Sequence, residues 1–338
     1  YQLIPLAHEL RTLGCGNRIG FFLHIPVPGL ETFKAIPEWR DLAAWLAEYD
    51  LIGVQTQRYL AHLINIFRHT LRGELRPNGN MGINGREVVL GCFPISINVE
   101  GFRRLAEDGS VGTPPPPLPR LIGVDRLDYS KGLPQRLAGY ETFLSQYPRF
   151  RGQVSLLQIA PPTRDDVEAY RDIREELELR AGHINGLYGT VDWTPVQYIH
   201  RALPRDELAV LFRLSRVGLV TPLFDGMNLV AKEYVAAQDE TDPGVLILSQ
   251  FAGAAEEMPQ ALIVNPHDPQ DMAEATRTAL EMPLAERIGR HAALYDYLAN
   301  HDVEYWSASF LKRLLAVETI DLHWISRYAA QQPGVKAS

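Results

Sequence analysis

The tract Pro114-Pro115-Pro116-Pro117 divides this chain into two stretches that share one rhythm: a short apolar run, then an amphipathic segment. Four consecutive prolines offer no amide donors and cannot enter a sheet interior. One series therefore ends before them and another starts after them. Such alternation is the signature of α/β layers built on a parallel sheet. Before the tract, residues 18–23, 51–54 and 88–91 read as strands, with a helix over 59–71. After it, residues 120–124, 154–159, 217–220, 245–248 and 261–264 read as strands. Helices are expected at 134–147, from about 165 to 181, at 206–214 and 229–238, and onward to about 315. Two Rossmann-like domains facing each other follow from this pattern, the first over 1–98 and the second over 120–300, joined by a Pro-rich linker at 99–119.

The length of 338 residues suits two ordinary cores. A net charge of −8 argues against a nucleic-acid partner, which normally leaves a basic footprint. No apolar run is long enough to span a bilayer, and no secretory signal is visible. The two cysteines, Cys15 and Cys92, favour a reduced, cytosolic protein over a disulfide scaffold. The chain opens on Tyr1-Gln2-Leu3-Ile4-Pro5 with no preceding strand, so the first domain is expected to be incomplete.

In parallel sheets ligands gather where strand ends meet helix starts, and four such loops carry chemistry. Val124-Asp125-Arg126-Leu127-Asp128-Tyr129-Ser130-Lys131-Gly132 places Arg126 and Lys131 five residues apart. A planar fork and a compact point charge suit a diphosphate. The competing reading is a solvated loop in which Asp125 or Asp128 pairs with the arginine. Thr221 to Glu233 is the second loop and helix start. Gly226 admits close backbone approach, and the amides of Met227, Asn228 and Leu229 form an anion site. Glu233 lies about 10 Å further along the same helix face, in reach of a ribose. The competing reading makes Asp225 a simple N-cap. His24 follows the third strand end and Arg164 the fourth; structural and surface roles respectively remain open for them.

Together these segments resemble the trehalose-6-phosphate synthase family of retaining, GT-B-type glycosyltransferases. The resemblance rests on the order His24-Ile25-Pro26, then Arg126-Leu127-Asp128-Tyr129-Ser130-Lys131-Gly132, then Arg164, then Asp225 through Ala236. It implies that Arg126 and Lys131 bind the donor diphosphate and stabilise the departing nucleotide. His24 and Asp225 would hold the donor glucose, and the backbone of Gly226, Met227, Asn228 and Leu229 its hydroxyls and phosphate. Glu233 would hold the ribose and Arg164 the phosphate of glucose 6-phosphate. The partners implied are a nucleotide-glucose, UDP-glucose foremost, and glucose 6-phosphate, with no cofactor, no membrane and a homo-oligomer compatible.

Transfer from a diphosphate needs cations where negative charge develops, not the opposed carboxylates of glycosidases. No Asp-x-Asp triplet offers a metal site, so the two cations would replace one. The resemblance also implies a helix at 301–320 that returns to the first domain, ahead of a tail at 321–338. The family carries further sequence before Tyr1, including acceptor-phosphate ligands. Two alternatives stay open: a glucosylglycerol-phosphate synthase-like transferase, and a non-catalytic nucleotide-sugar-binding domain. A dehydrogenase lacks its Gly-x-Gly-x-x-Gly turn and a P-loop kinase its Gly-x4-Gly-Lys-Ser/Thr.

Overall fold

The computed structural model describes residues 2–162 and 168–317, which divide into two compact units. The first comprises residues up to Ile95 together with those from Tyr305 on; the second runs from Ser96 to Glu304.

In the first unit the order is α1 (Leu6–Thr12), β1 (Gly20–Phe22), α2 (Leu30–Lys34), α3 (Trp39–Leu46), β2 (Leu51–Val54), α4 (Gln57–Thr70), β3 (Glu74–Leu75), β4 (Met81–Ile83) and β5 (Arg86–Cys92). The sheet order is β1-β2-β5-β4-β3. Its first three strands are parallel, as the apolar runs imply, but β4 and β3 are antiparallel additions. The wholly parallel sheet expected here is corrected by one local feature, Asn84-Gly85. Both residues take positive φ, 52° and 80°, the requirement of a tight hairpin turn. That dipeptide was readable in the sequence. Asp50 ties the unit's base together, accepting from Arg11 at 2.7 Å and from Arg86.

The second unit holds α5 (Val99–Ser110), β6 (Arg120–Val124), α6 (Leu133–Gln146), β7 (Ser155–Ile159), α7 (Glu168–Tyr188), β8 (Val196–Ile199), α8 (Arg205–Arg213), β9 (Val217–Val220), α9 (Leu229–Ala237), β10 (Val245–Ser249), β11 (Leu262–Val264), α10 (Pro269–Glu281), α11 (Leu284–Asn300) and the start of α12 (Val303–Leu315). Residues 99–110, read from sequence as linker, form α5 instead. Phe102 and Ala106 share its buried face, four residues apart, and Asn98 caps it by accepting from Gly101 N. The helix packs on α8 and α9. Only the proline tract that follows lies outside regular structure.

All six strands of the second sheet are parallel, in the order β11-β10-β9-β6-β7-β8. Their central members are buried along nearly their whole length, as strands covered by helices on both faces must be. The strand β8 escaped the sequence reading because it is an edge strand. Gln197 is exposed and Tyr198 half-buried, so no apolar run marks it.

The strand order contains the decisive fact of the fold. The chain moves outward from β6 through β7 to β8, then returns to β9 and moves the other way. Neighbouring strands β6 and β9 are therefore the point at which the winding reverses, the place where ligands of such sheets gather at the carboxyl ends of the strands. The loops there are residues 125–132 and 221–228.

Candidate donor-binding site

Beneath these loops lies a buried polar lock. Arg136 of α6 is fully buried and donates to Asp125 Oδ2 at 2.6 Å, Thr221 Oγ1 at 2.9 Å and Gln158 Oε1 at 3.1 Å. One guanidinium thus joins the ends of β6 and β9 to β7. Gly123 makes room for it: a Cβ there would sit 2.5 Å from Arg136 Nη1. Burial pushes the Asp125 carboxyl above its ordinary pKa, while Arg136 and Lys131 pull the other way. The sequence reading did not single out Arg136. Its signal was weak, an arginine on an otherwise apolar helix face.

Above the lock the two loops are laced together. Asp128 accepts from Ser130 N at 2.9 Å and Ser130 Oγ at 2.8 Å, which caps a short turn over Tyr129–Lys131. Ser130 O in turn accepts from Leu223 N at 2.8 Å and Phe224 N at 3.2 Å. Gly132 follows at φ 65°, and a Cβ there would lie 2.6 Å from Thr221 O. Both its backbone and its surroundings exclude any other residue.

The lacing brings Lys131 to Asp225. Its Nζ donates to Asp225 Oδ2 at 2.5 Å, and Asn228 Nδ2 reaches the same oxygen at 3.0 Å. Each member of the ion pair keeps 16% of its side chain exposed, so solvent or ligand can reach it. The N-cap of α9 is Asn228, at φ 74°, whose side chain accepts from Val230 N at 3.1 Å. The simple N-cap reading of Asp225 therefore fails. The three amides expected to meet an anion lie at the start of this helix. Met227 and Asn228 precede the helix, Leu229 is its first residue, and the Val230 amide is already engaged.

Arg126 stands apart. Neither neighbouring acid takes it, since Asp125 is committed to Arg136 and Asp128 to Ser130. Its side chain is exposed and, among the described residues, forms no ion pair. A third loop, after β10, was missed altogether. Phe251 O accepts from Asp225 N at 3.2 Å, Asp225 O accepts from Gly253 N at 3.2 Å, and Met227 O accepts from Ala254 N at 2.8 Å. The available signal was Gly253 with small neighbours directly after an apolar strand. Below it, buried Lys232 pairs with Glu257 at 2.7 Å, and Tyr297 OH donates to the same carboxylate at 2.6 Å.

Glu233 lies one helical turn into α9 with 22% of its side chain exposed; its nearest cation is Arg205, 3.8 Å away. Burial raises its pKa above the ordinary glutamate value, and Arg205 offsets this in part. His24, in the first unit, follows β1 with its ring edge-on to Phe22, centroids 4.8 Å apart. Partial burial lowers its pKa. Arg164 lies outside the described residues. Of the expected residues, then, Lys131, Asp225, Gly226, Met227, Asn228 and Leu229 come together within the second unit. Arg126 shares the first loop and Glu233 the helix that follows the second. Among the described residues no group of three His, Cys, Asp or Glu side chains could hold a metal ion.

A parallel sheet whose reversal point carries cations and a helix start is shared by many nucleotide-binding proteins. Comparison with known families discriminates among them: glycosyltransferase family 20 matches residues 1–316. The chain belongs to that family. It is 47% identical over 324 residues to a trehalose-6-phosphate synthase of Escherichia coli O1:K1 / APEC, covering 93% of this chain and 68% of the relative. It also matches an alpha,alpha-trehalose-phosphate synthase (UDP-forming) from Burkholderia xenovorans solved in complex with glucose-6-phosphate. That match has a TM-score of 0.90 and 45% identity, over 94% of this chain and 72% of the other. An Escherichia coli trehalose-6-phosphate protein bound with UDP-2-fluoro glucose matches with a TM-score of 0.91 and 45% identity, over 95% and 72%. These neighbours have the family 20, GT-B fold, so this chain's fold is of that type.

Proposed function

We propose that this family 20 chain serves a trehalose-6-phosphate synthase reaction, moving glucose from UDP-glucose to glucose 6-phosphate with retention at the sugar carbon. The names of its relatives support the substrates. The single observation that carries the donor reading is the placement of Lys131, Asp225 and the start of α9 at the winding reversal of the second sheet, on loops that also carry the exposed Arg126.

The geometry suits a diphosphate leaving group. Asp225 holds Lys131 in an ion pair. An incoming diphosphate competes for that ammonium, and Arg126 supplies a second positive charge from the same loop. As the bond from the sugar carbon to the phosphate oxygen breaks, negative charge grows on the nucleotide where the two cations act. A bond forms from the acceptor hydroxyl to that carbon, and the hydroxyl proton passes to the departing phosphate oxygen. Asp225, relieved of part of its hold on Lys131, accepts from a glucose hydroxyl. Glu233 accepts from the ribose. The proposed roles of His24 and Arg164 rest on the family resemblance.

Residues 1–98 are proposed as the acceptor side and 120–300 as the donor side. A cytoplasmic location is proposed too. It is supported by the two cysteines, which form no disulfide among the described residues, and by the described helices, none of which is long and apolar enough to cross a membrane. Titration calorimetry with UDP and UDP-glucose, beside a coupled assay of UDP release with glucose 6-phosphate, tests the reading. Donor binding that requires Lys131 is expected. Absence of donor binding overturns the proposal, and binding without UDP release, with glucose 6-phosphate saturating, leaves a nucleotide-sugar-binding domain.

A further inference from the structure

At the other end of the second sheet, where β6, β9 and β10 begin, the proline tract roofs a cavity of about 480 Å³. Pro115, Pro116 and Pro117 line it on one side, and Arg120, Arg213 and Arg216 supply cations, with Asp239 and Asp242 among the lining residues. Nothing in the donor reading uses this end of the sheet.

The charges there do not cancel. Arg213 is committed to Asp239 Oδ2 at 3.1 Å and Ala237 O at 3.2 Å. Arg216 grips Asp242 with both terminal nitrogens, each at 2.9 Å, Arg287 adds a third bond at 2.7 Å, and together they hold that carboxyl well below the usual carboxylate range. Arg120, the first residue of β6, is half-buried, and its side chain has no ion pair or hydrogen bond among the described residues. Burial lowers its pKa. A guanidinium drawn partly out of water without a partner is costly, and an arriving anion relieves that cost.

We propose that this cavity binds a small organic monocarboxylate carried on a flat apolar body. The carboxylate takes the free fork of Arg120. The body lies against the pyrrolidine faces of Pro115–Pro117, which offer apolar surface that is already rigid and loses little entropy on binding. Asp239 and Asp242 stay with their own arginines, so a ligand with a single carboxylate matches the one arginine of the lining that has no partner among the described residues. The volume lies within the range of ordinary small-molecule sites.

Benzoate is the probe, with benzamide as its neutral counterpart, acetate as the anion without a body and phenyl phosphate as the dianion. Calorimetry on the whole chain is expected to show saturable benzoate binding with Kd of about 1 mM or tighter. Acetate binds more weakly, and benzamide and phenyl phosphate more weakly still. Arg120→Met weakens benzoate by about 10-fold or more, whereas Arg120→Lys retains part of the affinity. In the unaltered chain, benzoate slows amide hydrogen exchange at the start of β6 and in residues 213–216, a readout that survives if the methionine variant does not fold. Benzamide binding as well as benzoate, phenyl phosphate binding better, or benzoate protection appearing elsewhere overturns the proposal. So does a lack of saturation by about 10 mM.

Discussion

Two ion pairs stand at the ends of the same two strands, β6 and β9, and they do different work. Arg136–Asp125 is sealed, with 0% and 2% of the side chains exposed, and each side-chain nitrogen of the arginine has its own partner, just past β6, just past β9 and on β7. Lys131–Asp225, in the loops above it, keeps 16% of each side chain exposed. A pair closed to solvent cannot exchange partners without leaving a bare charge in the interior. A pair open at one side can surrender its cation to a ligand that supplies a better anion. The lower pair therefore holds the loops in place, and the upper one is available for chemistry.

The largest test of that contrast is Arg136→Met. It leaves Asp125 buried without its cation and is expected to cost about 3–5 kcal/mol in urea denaturation. A loss below about 1 kcal/mol would show that the lower pair is not the lock described here. Gly132→Ala comes next, at about 1–3 kcal/mol, because the new Cβ meets Thr221 O and the backbone is held at positive φ. The same denaturation curves measure it.

Lys131→Ala should reverse the balance. UDP affinity falls by about 10-fold or more in calorimetry, while stability falls by only about 1–2 kcal/mol. Equal stability losses for Lys131→Ala and Arg136→Met would erase the distinction between the pairs. Glu233→Gln is expected to lower UDP affinity by a few-fold, roughly 1 kcal/mol, through the ribose alone. Affinity unchanged from the native chain would remove Glu233 from the site.

The smallest effect is a pH slope. The Glu233 carboxyl titrates higher in the folded chain than in the unfolded one, because burial disfavours its charged form. Between those two pKa values the folded state holds more protons, so stability declines as pH rises from the ordinary glutamate value through the raised one. Glu233→Gln should lack that part of the slope in melts taken across the window. An identical slope in both proteins would place the titration elsewhere.

Much of this molecule could be read along the chain. The apolar runs of β6, β9 and β10 identify buried parallel strands because such strands need no polar face. The positions of Gly132 and Gly226 mark the loops that follow two of them. The antiparallel hairpin also had its local sign in Asn84-Gly85. Less could be read where burial is one-sided or where two distant segments meet. The edge strand β8 carries no apolar run, and α5 hid in a stretch judged by the prolines beside it.

What the amino-acid order determined by itself was local: which segments alternate, where turns must fall, and which loops carry cations. Periodicity and turn preference depend on neighbours within a few residues, so one chain suffices to reveal them. The choice of partners was decided only by tertiary structure. Asp125 lies next to Arg126 in sequence yet pairs with Arg136, and Lys131 meets an aspartate 94 residues away. A charged group settles where burial, hydrogen-bond geometry and competing ions together cost least, and that balance exists only once the strands have been ordered side by side.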